Sequence, residues 1–379
     1  MSALDIPLGI YVHFPWCVRK CPYCDFNSHP QKGEIPERAY TDQLIADLDL
    51  DAAPLVGRPV TSVFLGGGTP SLISPTSIRR LLDGIRECVE LDPAAEITLE
   101  ANPGTVDERH FEGYVDAGVN RLSIGAQSFD SRQLERLGRI HGPAEIERAV
   151  ATARNAGFMR INLDLMHGLP EQTEPSAIED IRRALALGVD HISWYQLTLE
   201  PRTPFAAHPP TLPDEDTLAA IEQTGFELLR HAGFDRYEIS AFAQAEPARH
   251  NVNYWKFGDY LGIGAGAHGK LSFATDAGLD VMRTESPKAP ERYLKTPAPL
   301  LRVQHPVAPA DRPGEFMMNA LRLSVGVDTA TFRTRTGLDV TAIAAQWSRQ
   351  AELGLMQKER IALTELGRRY LDSVVAAFL

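Results

Sequence analysis

The chain has 379 residues, a formal net charge of −12, 44% hydrophobic residues and 4 cysteines. That length supports a large core and a second domain. No apolar run approaches the ~18 residues of a membrane span, and the acidic balance argues against a general nucleic-acid binder. Met1 to Pro7 is too short and polar for a targeting segment, so the cytoplasm is expected. Few, clustered cysteines suit a reducing compartment.

Leu8 to Phe14 reads as a buried strand, rich in β-branched and aromatic residues. Pro36 to Leu50 reads as a helix. Thr61 to Leu65 is a second strand, and Ser74 to Leu91 a helix with Ser74 as N-cap and Pro75 at N1. Strands are expected at Glu96 to Ala101, Arg121 to Gln127, Met159 to Met166 and His191 to Thr198. Helices are expected at Asp107 to Ala117, Pro143 to Ala156 and Ser176 to Leu187. Six βα units imply a parallel sheet with right-handed crossovers, too few for a closed eight-unit barrel.

The pattern breaks at Pro201, Pro204, Pro209, Pro210 and Pro213. A helix comes next from Asp214 to His231, then a strand around Arg236 to Ala241. Pro287 to Pro313 reads as a linker. Glu315 to Leu379 reads as helices with one short strand, Arg360 to Leu363, resembling a winged helix. The expected fold class is therefore α/β: a partial (β/α)6 barrel over 1–200, an extension over 201–300 that completes the core, and a mostly helical, winged-helix-like C-terminal domain over 301–379.

Three cysteines lie in Cys17-Val-Arg-Lys-Cys21-Pro-Tyr-Cys24, on the loop leaving the first strand. Open α/β sheets and barrels place their chemistry at this end of the strands. C-x3-C-x2-C lets three thiolates hold three corners of a [4Fe-4S] cubane and leaves the fourth iron open for a chelating ligand. The same cysteines could bind zinc with His13 or His29, although no second ligand pair occurs downstream. A disulfide would leave one cysteine over. Cys88 falls within a helix and reads as a small buried residue.

The cysteine spacing resembles that of the radical S-adenosylmethionine (SAM) superfamily. Further strings narrow the resemblance: Tyr11-Val-His-Phe-Pro-Trp, Gly66-Gly-Gly-Thr-Pro70, Glu100-Ala-Asn-Pro, Gly125-Ala-Gln-Ser-Phe and Asp164-Leu-Met-His-Gly-Leu-Pro. These look like the oxygen-independent coproporphyrinogen III dehydrogenase family. Carried over position by position, the resemblance implies Cys17, Cys21 and Cys24 as cluster ligands. It implies Tyr11, Gly67, Gly68, Thr69, Glu100, Gln127, Arg139 and Asp164 as SAM contacts.

Two departures set the sequence apart from the dehydrogenase proper. Phe26 stands where that family carries a further cysteine, and the first cysteine is already residue 17, without the N-terminal extension. Both match the HemW-like branch, the haem chaperones, as does His250-Asn-Val-Asn-Tyr-Trp255. The resemblance implies haem as a third bound group, with His250 as its ligand and His268 a weaker candidate. Residue types alone favour a core histidine beside packed aromatics over a haem ligand. The implied partner is a haem-accepting protein, membrane-associated acceptors included; the sequence names neither the acceptor nor the electron donor. Coproporphyrinogen dehydrogenase activity is not expected; it and another radical SAM chemistry are the rival readings.

Overall fold

The structure, a computed structural model, describes residues 5–104, 110–276 and 278–379. Its centre is a twelve-stranded sheet. The first six strands are β1 (Leu8–Phe14), β2 (Val60–Gly67), β3 (Leu91–Ala101), β4 (Arg121–Gln127), β5 (Arg160–His167) and β6 (His191–Gln196). They lie side by side in chain order, all parallel. β4 is buried along its whole length, as a strand covered on both faces must be. The sheet continues past Glu200. β7 (Asp235–Glu238) and β8 (Ala241–Ala243) form a hairpin antiparallel to β6. At the other edge β9 (Asp259–Ile263) adds to β1 in parallel, followed by antiparallel β10 (His268–Thr275), β11 (Gly278–Glu285) and β12 (Val303–Pro306). The order β12-β11-β10-β9-β1-β2-β3-β4-β5-β6-β8-β7 has two ends, so the barrel is open.

The alternation expected from the sequence is present, with shifts that have local causes. The helix expected to reach Leu91 spans Pro75–Cys88; Val89 is already extended, and β3 begins at Leu91. Asp92 precedes Pro93, and a residue before proline is pushed out of the helical region. The start of the helix expected from Asp107 lies outside the described residues; Phe111–Ala117 is helical. An unexpected helix, Ser131–Arg136, is capped by Asp130, whose carboxylate accepts from Arg132 N–H (2.8 Å). The stretch Pro287 to Pro313 is ordered structure. Pro290 opens the helix Pro290–Lys295 at N1, and β12 is a short edge strand, two places where a missing N–H is tolerated.

Two cores result. The larger joins the barrel strands to the helices around them. The smaller packs Phe316, Phe332, Ile343, Ile361 and Val374 of the C-terminal region against Phe257 and Trp255. In this region Arg360 to Leu363 forms single bridges, Val327 with Ile361 and Met356 with Leu363, where a strand was expected. Among the described residues no helix is long and apolar enough to cross a membrane.

Candidate cofactor site

Successive side chains of a strand point to opposite faces, so Glu96, Thr98 and Glu100 of β3 share one face. So do Ser123 and Gly125 of β4, Asn162 and Asp164 of β5, and His191, Ser193 and Tyr195 of β6. One cavity of about 270 Å³ is lined from β2, β3, β4, β5 and β6 together, so the sheet curls around it. Its remaining wall is the cysteine loop. A two-residue parallel pair, Trp16–Cys17 with His29–Pro30, closes that loop at its base. Within it Cys24 N–H donates to Cys21 O (3.2 Å) and Lys20 Nζ to Phe26 O (2.9 Å).

The cavity lining contains Cys17, Cys21, Cys24, Gly67, Gly68, Thr69, Glu100, Gln127, Arg139 and Asp164. All four cysteines of the chain are free thiols. Burial pushes the Cys17 thiol up to about 11, so a thiolate there needs a cation, which a metal centre supplies. Arg139 donates to Cys21 Sγ (3.7 Å), to Gly125 O (2.8 Å) and to Asn102 Oδ1. It comes directly after Gly138, whose left-handed φ of +69° ends the preceding turn.

The glycine strand end is required by contact. Gly67 has φ +112°, and a Cβ at Gly68 would stand 2.3 Å from Trp16 O. Gly68 N–H donates to Phe14 O and Thr69 N–H to Trp16 O, each at 2.7 Å, so this turn is bonded to the segment that starts the cysteine loop. Gly67 N–H donates to Glu100 Oε2 (3.0 Å). Burial, with Asp164 adding to it, still raises the Glu100 carboxyl to about 8. Asp164 is likewise raised by burial, although Ser123 Oγ (2.9 Å) and Asn162 Nδ2 (2.8 Å) donate to it. Gln127, in the left-handed region at φ +68°, accepts from Tyr195 OH (2.9 Å) at the end of β4. Non-glycine residues are held there at a cost and cluster at functional sites.

Tyr11 lines a second, larger chamber of about 990 Å³ that shares Lys20, Cys24, Phe26, Ser28, Gly67 and Glu100 with the first. Two residues not singled out by the sequence connect the walls. Asn27 Nδ2 donates to Ala265 O and Lys288 O (both 2.9 Å), and Asn27 O faces His13 Nε2 (2.9 Å). Asn102 donates to Thr69 Oγ1 (2.8 Å) beneath Arg139. Asn27 has no local signal, and Asn102 lies within the Glu100-Ala-Asn-Pro string without a role assigned to it there; each acts through partners far away in the chain.

His250 stands apart. It lines neither cavity. Its Nδ1 bonds Glu96 Oε1 (2.9 Å), and its ring lies flat on Phe64 (centroids 4.2 Å, 4°). Glu96 is four strand residues below Glu100, roughly 13 Å down the barrel. The other motif residues each hold a different neighbour. Asn251 donates to Tyr237 OH (3.0 Å), Asn253 to Asp259 O (2.9 Å), and Trp255 lies under the Arg322 guanidinium (4.2 Å). Only Tyr254 reaches the chamber. His268 lines the chamber directly.

The Radical SAM superfamily model matches residues 11–185 and the HemN C-terminal domain model residues 307–370. The haem chaperone HemW of Escherichia coli K12 is 47% identical over 378 residues, 98% of each chain. That of Haemophilus influenzae is 47% identical over 380 residues with the same coverage. That of Mycobacterium tuberculosis H37Rv is 34% identical over 98% of this chain and 95% of the relative. The solved coproporphyrinogen III oxidase HemN of Escherichia coli shares the fold, with a TM-score of 0.80 at 23% identity, covering 99% of this chain and 91% of that one. The chain belongs to the HemW family of the radical SAM superfamily.

Proposed function

We propose that this protein is a cytoplasmic haem chaperone that carries a [4Fe-4S] cluster and SAM, binds haem as cargo and hands it to an acceptor protein. One observation carries the reading. Three free thiols, a glycine strand end and two half-buried carboxyls meet at one cavity, in a chain 47% identical along 98% of its length to a named haem chaperone.

Cys17, Cys21 and Cys24 would hold the cluster, and their donor set fits it: three thiols from one short loop, one of them too buried to ionise without a cation. A cluster held there would supply the electron for one-electron reduction of a bound sulfonium. This chain's residues do the binding around it. The Gly67–Gly68 turn lets backbone groups approach an amino group closely. Glu100 and Asp164 form an uncompensated acidic pair that suits a cationic ligand and its ribose hydroxyls. Arg139 offers a guanidinium for the ligand carboxylate, Gln127 lines the same cavity, and Tyr11 lines the adjoining chamber.

The test is an anaerobic haemin titration of the cluster-reconstituted protein, read by visible absorption. A saturable Soret band at one haemin per chain is expected. No saturable band, together with decarboxylation of coproporphyrinogen III by the same sample, would overturn the proposal in favour of the dehydrogenase.

A further inference from the structure

We propose that the haem cargo lies in the larger chamber and is ligated by His268 rather than by His250. This rests on the chaperone reading. At about 990 Å³ the chamber is near the top of the ~300–1,000 Å³ range of small-molecule sites. Its walls suit a flat macrocycle. Tyr11 stacks with Phe64 (centroids 5.9 Å, 28°), and Tyr254 meets Tyr260 edge-on (4.8 Å, 66°). Lys20, Arg202 and Lys288 line it too and suit two propionates. Asp25 and Glu200 also face it, so the cations do not stand alone. Arg202 is held at φ +67° and has no polar partner among the described residues.

Three histidines line this space. His13 is committed at both nitrogens, Nδ1 to Tyr11 OH (2.7 Å) and Nε2 to Asn27 O (2.9 Å). His29 is anchored through Nε2 to Asn27 Oδ1 (3.2 Å). The His268 ring has no hydrogen bond among the described residues. Its side chain is 59% exposed, and Glu285 Oε1 stands 3.9 Å from Nε2. At that separation there is no hydrogen bond, so both ring nitrogens are open to a metal. His250 keeps one ring nitrogen without a bond as well, its Nδ1 being held by Glu96 Oε1 (2.9 Å). Its ring, however, is covered by Phe64 on one face and flanked edge-on by Tyr254 (6.0 Å), with its side chain 12% exposed. A macrocycle reaches it only if those rings leave.

The experiment titrates haemin and metal-free protoporphyrin IX into the reconstituted full-length protein and its His268→Ala, His268→Cys and His250→Ala variants. His268→Ala is expected to weaken haemin on the order of tenfold or more while protoporphyrin IX changes by less than about twofold. His268→Cys is expected to move the Soret band to a thiolate-ligated position. The proposal is overturned by unchanged haemin spectra in both His268 variants, or by loss of the ligated band in His250→Ala alone. Equal losses of haemin and protoporphyrin IX in His268→Ala would make the residue a wall and also overturn ligation. Failure of the unmodified protein to take up haemin would instead overturn the chaperone reading, and with it this assignment, before any variant is compared.

Discussion

The two ends of the barrel interior are built from the same residue types and behave in opposite ways. At the floor, Glu96 meets His250 at 2.9 Å and Arg121 at 4.0 Å. Burial alone would raise the Glu96 carboxyl, but the His250 bond and charge and Arg121 outweigh it and hold it well below its usual range. At the mouth, Glu100 has one backbone N–H and a second carboxyl nearby, and it rises to about 8. A buried charge that is paired inside the protein is part of the scaffold; one left unpaired waits for a ligand. The charged motif at the floor therefore reads as structure, and the glycine and acid residues at the mouth as a site.

The contrast can be broken from either end. The largest effect is expected from Cys21→Ala at the mouth: loss of the cluster, measured as iron and sulfide content after anaerobic reconstitution, with the fold retained by circular dichroism. Full cluster content in that variant would remove the mouth from the comparison. Next, Glu96→Ala leaves Arg121 buried beside an empty position and should cost about 3–5 kcal/mol in urea unfolding. A loss under about 1 kcal/mol would mean that the floor is not held by this pair.

The pH dependence of the cluster-free, ligand-free protein sharpens the comparison further. Unfolded, Glu100 loses its proton near the ordinary 4.5; folded, it keeps it to about 8. Folding takes up a proton between those values, so its contribution to stability falls as pH rises from about 5 to about 8. Glu100→Gln should flatten that fall. Glu96 has the opposite sign: its folded value is depressed, so its contribution is present above 4.5 and is lost as pH drops. Denaturant midpoints across pH check both, and parallel profiles for the two variants would refute the contrast. The smallest effect is expected from His250→Ala. It should lower stability by about 1–3 kcal/mol through the lost donor to Glu96 and leave the haemin titration unchanged.

The alternation of six strands and helices was legible because period-2 and period-3.6 patterns are local, and chain order alone put the parallel strands side by side. The cysteine loop and the glycine and acid residues were legible for a related reason. They sit at strand ends, and a parallel sheet gathers its strand ends at one rim. The region beyond Glu200 was harder. β9 to β12 extend the same sheet, but their proline-rich and glycine-rich stretches carry little periodicity. Asn27, Asn102 and His13 were not singled out as a connected set, because their partners lie up to 261 residues away.

The sequence by itself determined the order of the six parallel strands and which residues gather at the barrel's mouth, since spacing along a short loop decides which thiols can converge. It also marked two histidines, His250 ahead of His268, with nothing to say of their surroundings. Only the tertiary structure separated their environments. It laid His250 on Phe64 above Glu96 and left His268 open at the start of β10. A histidine's availability depends on which partners packing brings to its two nitrogens, and those partners come from strands distant in the chain.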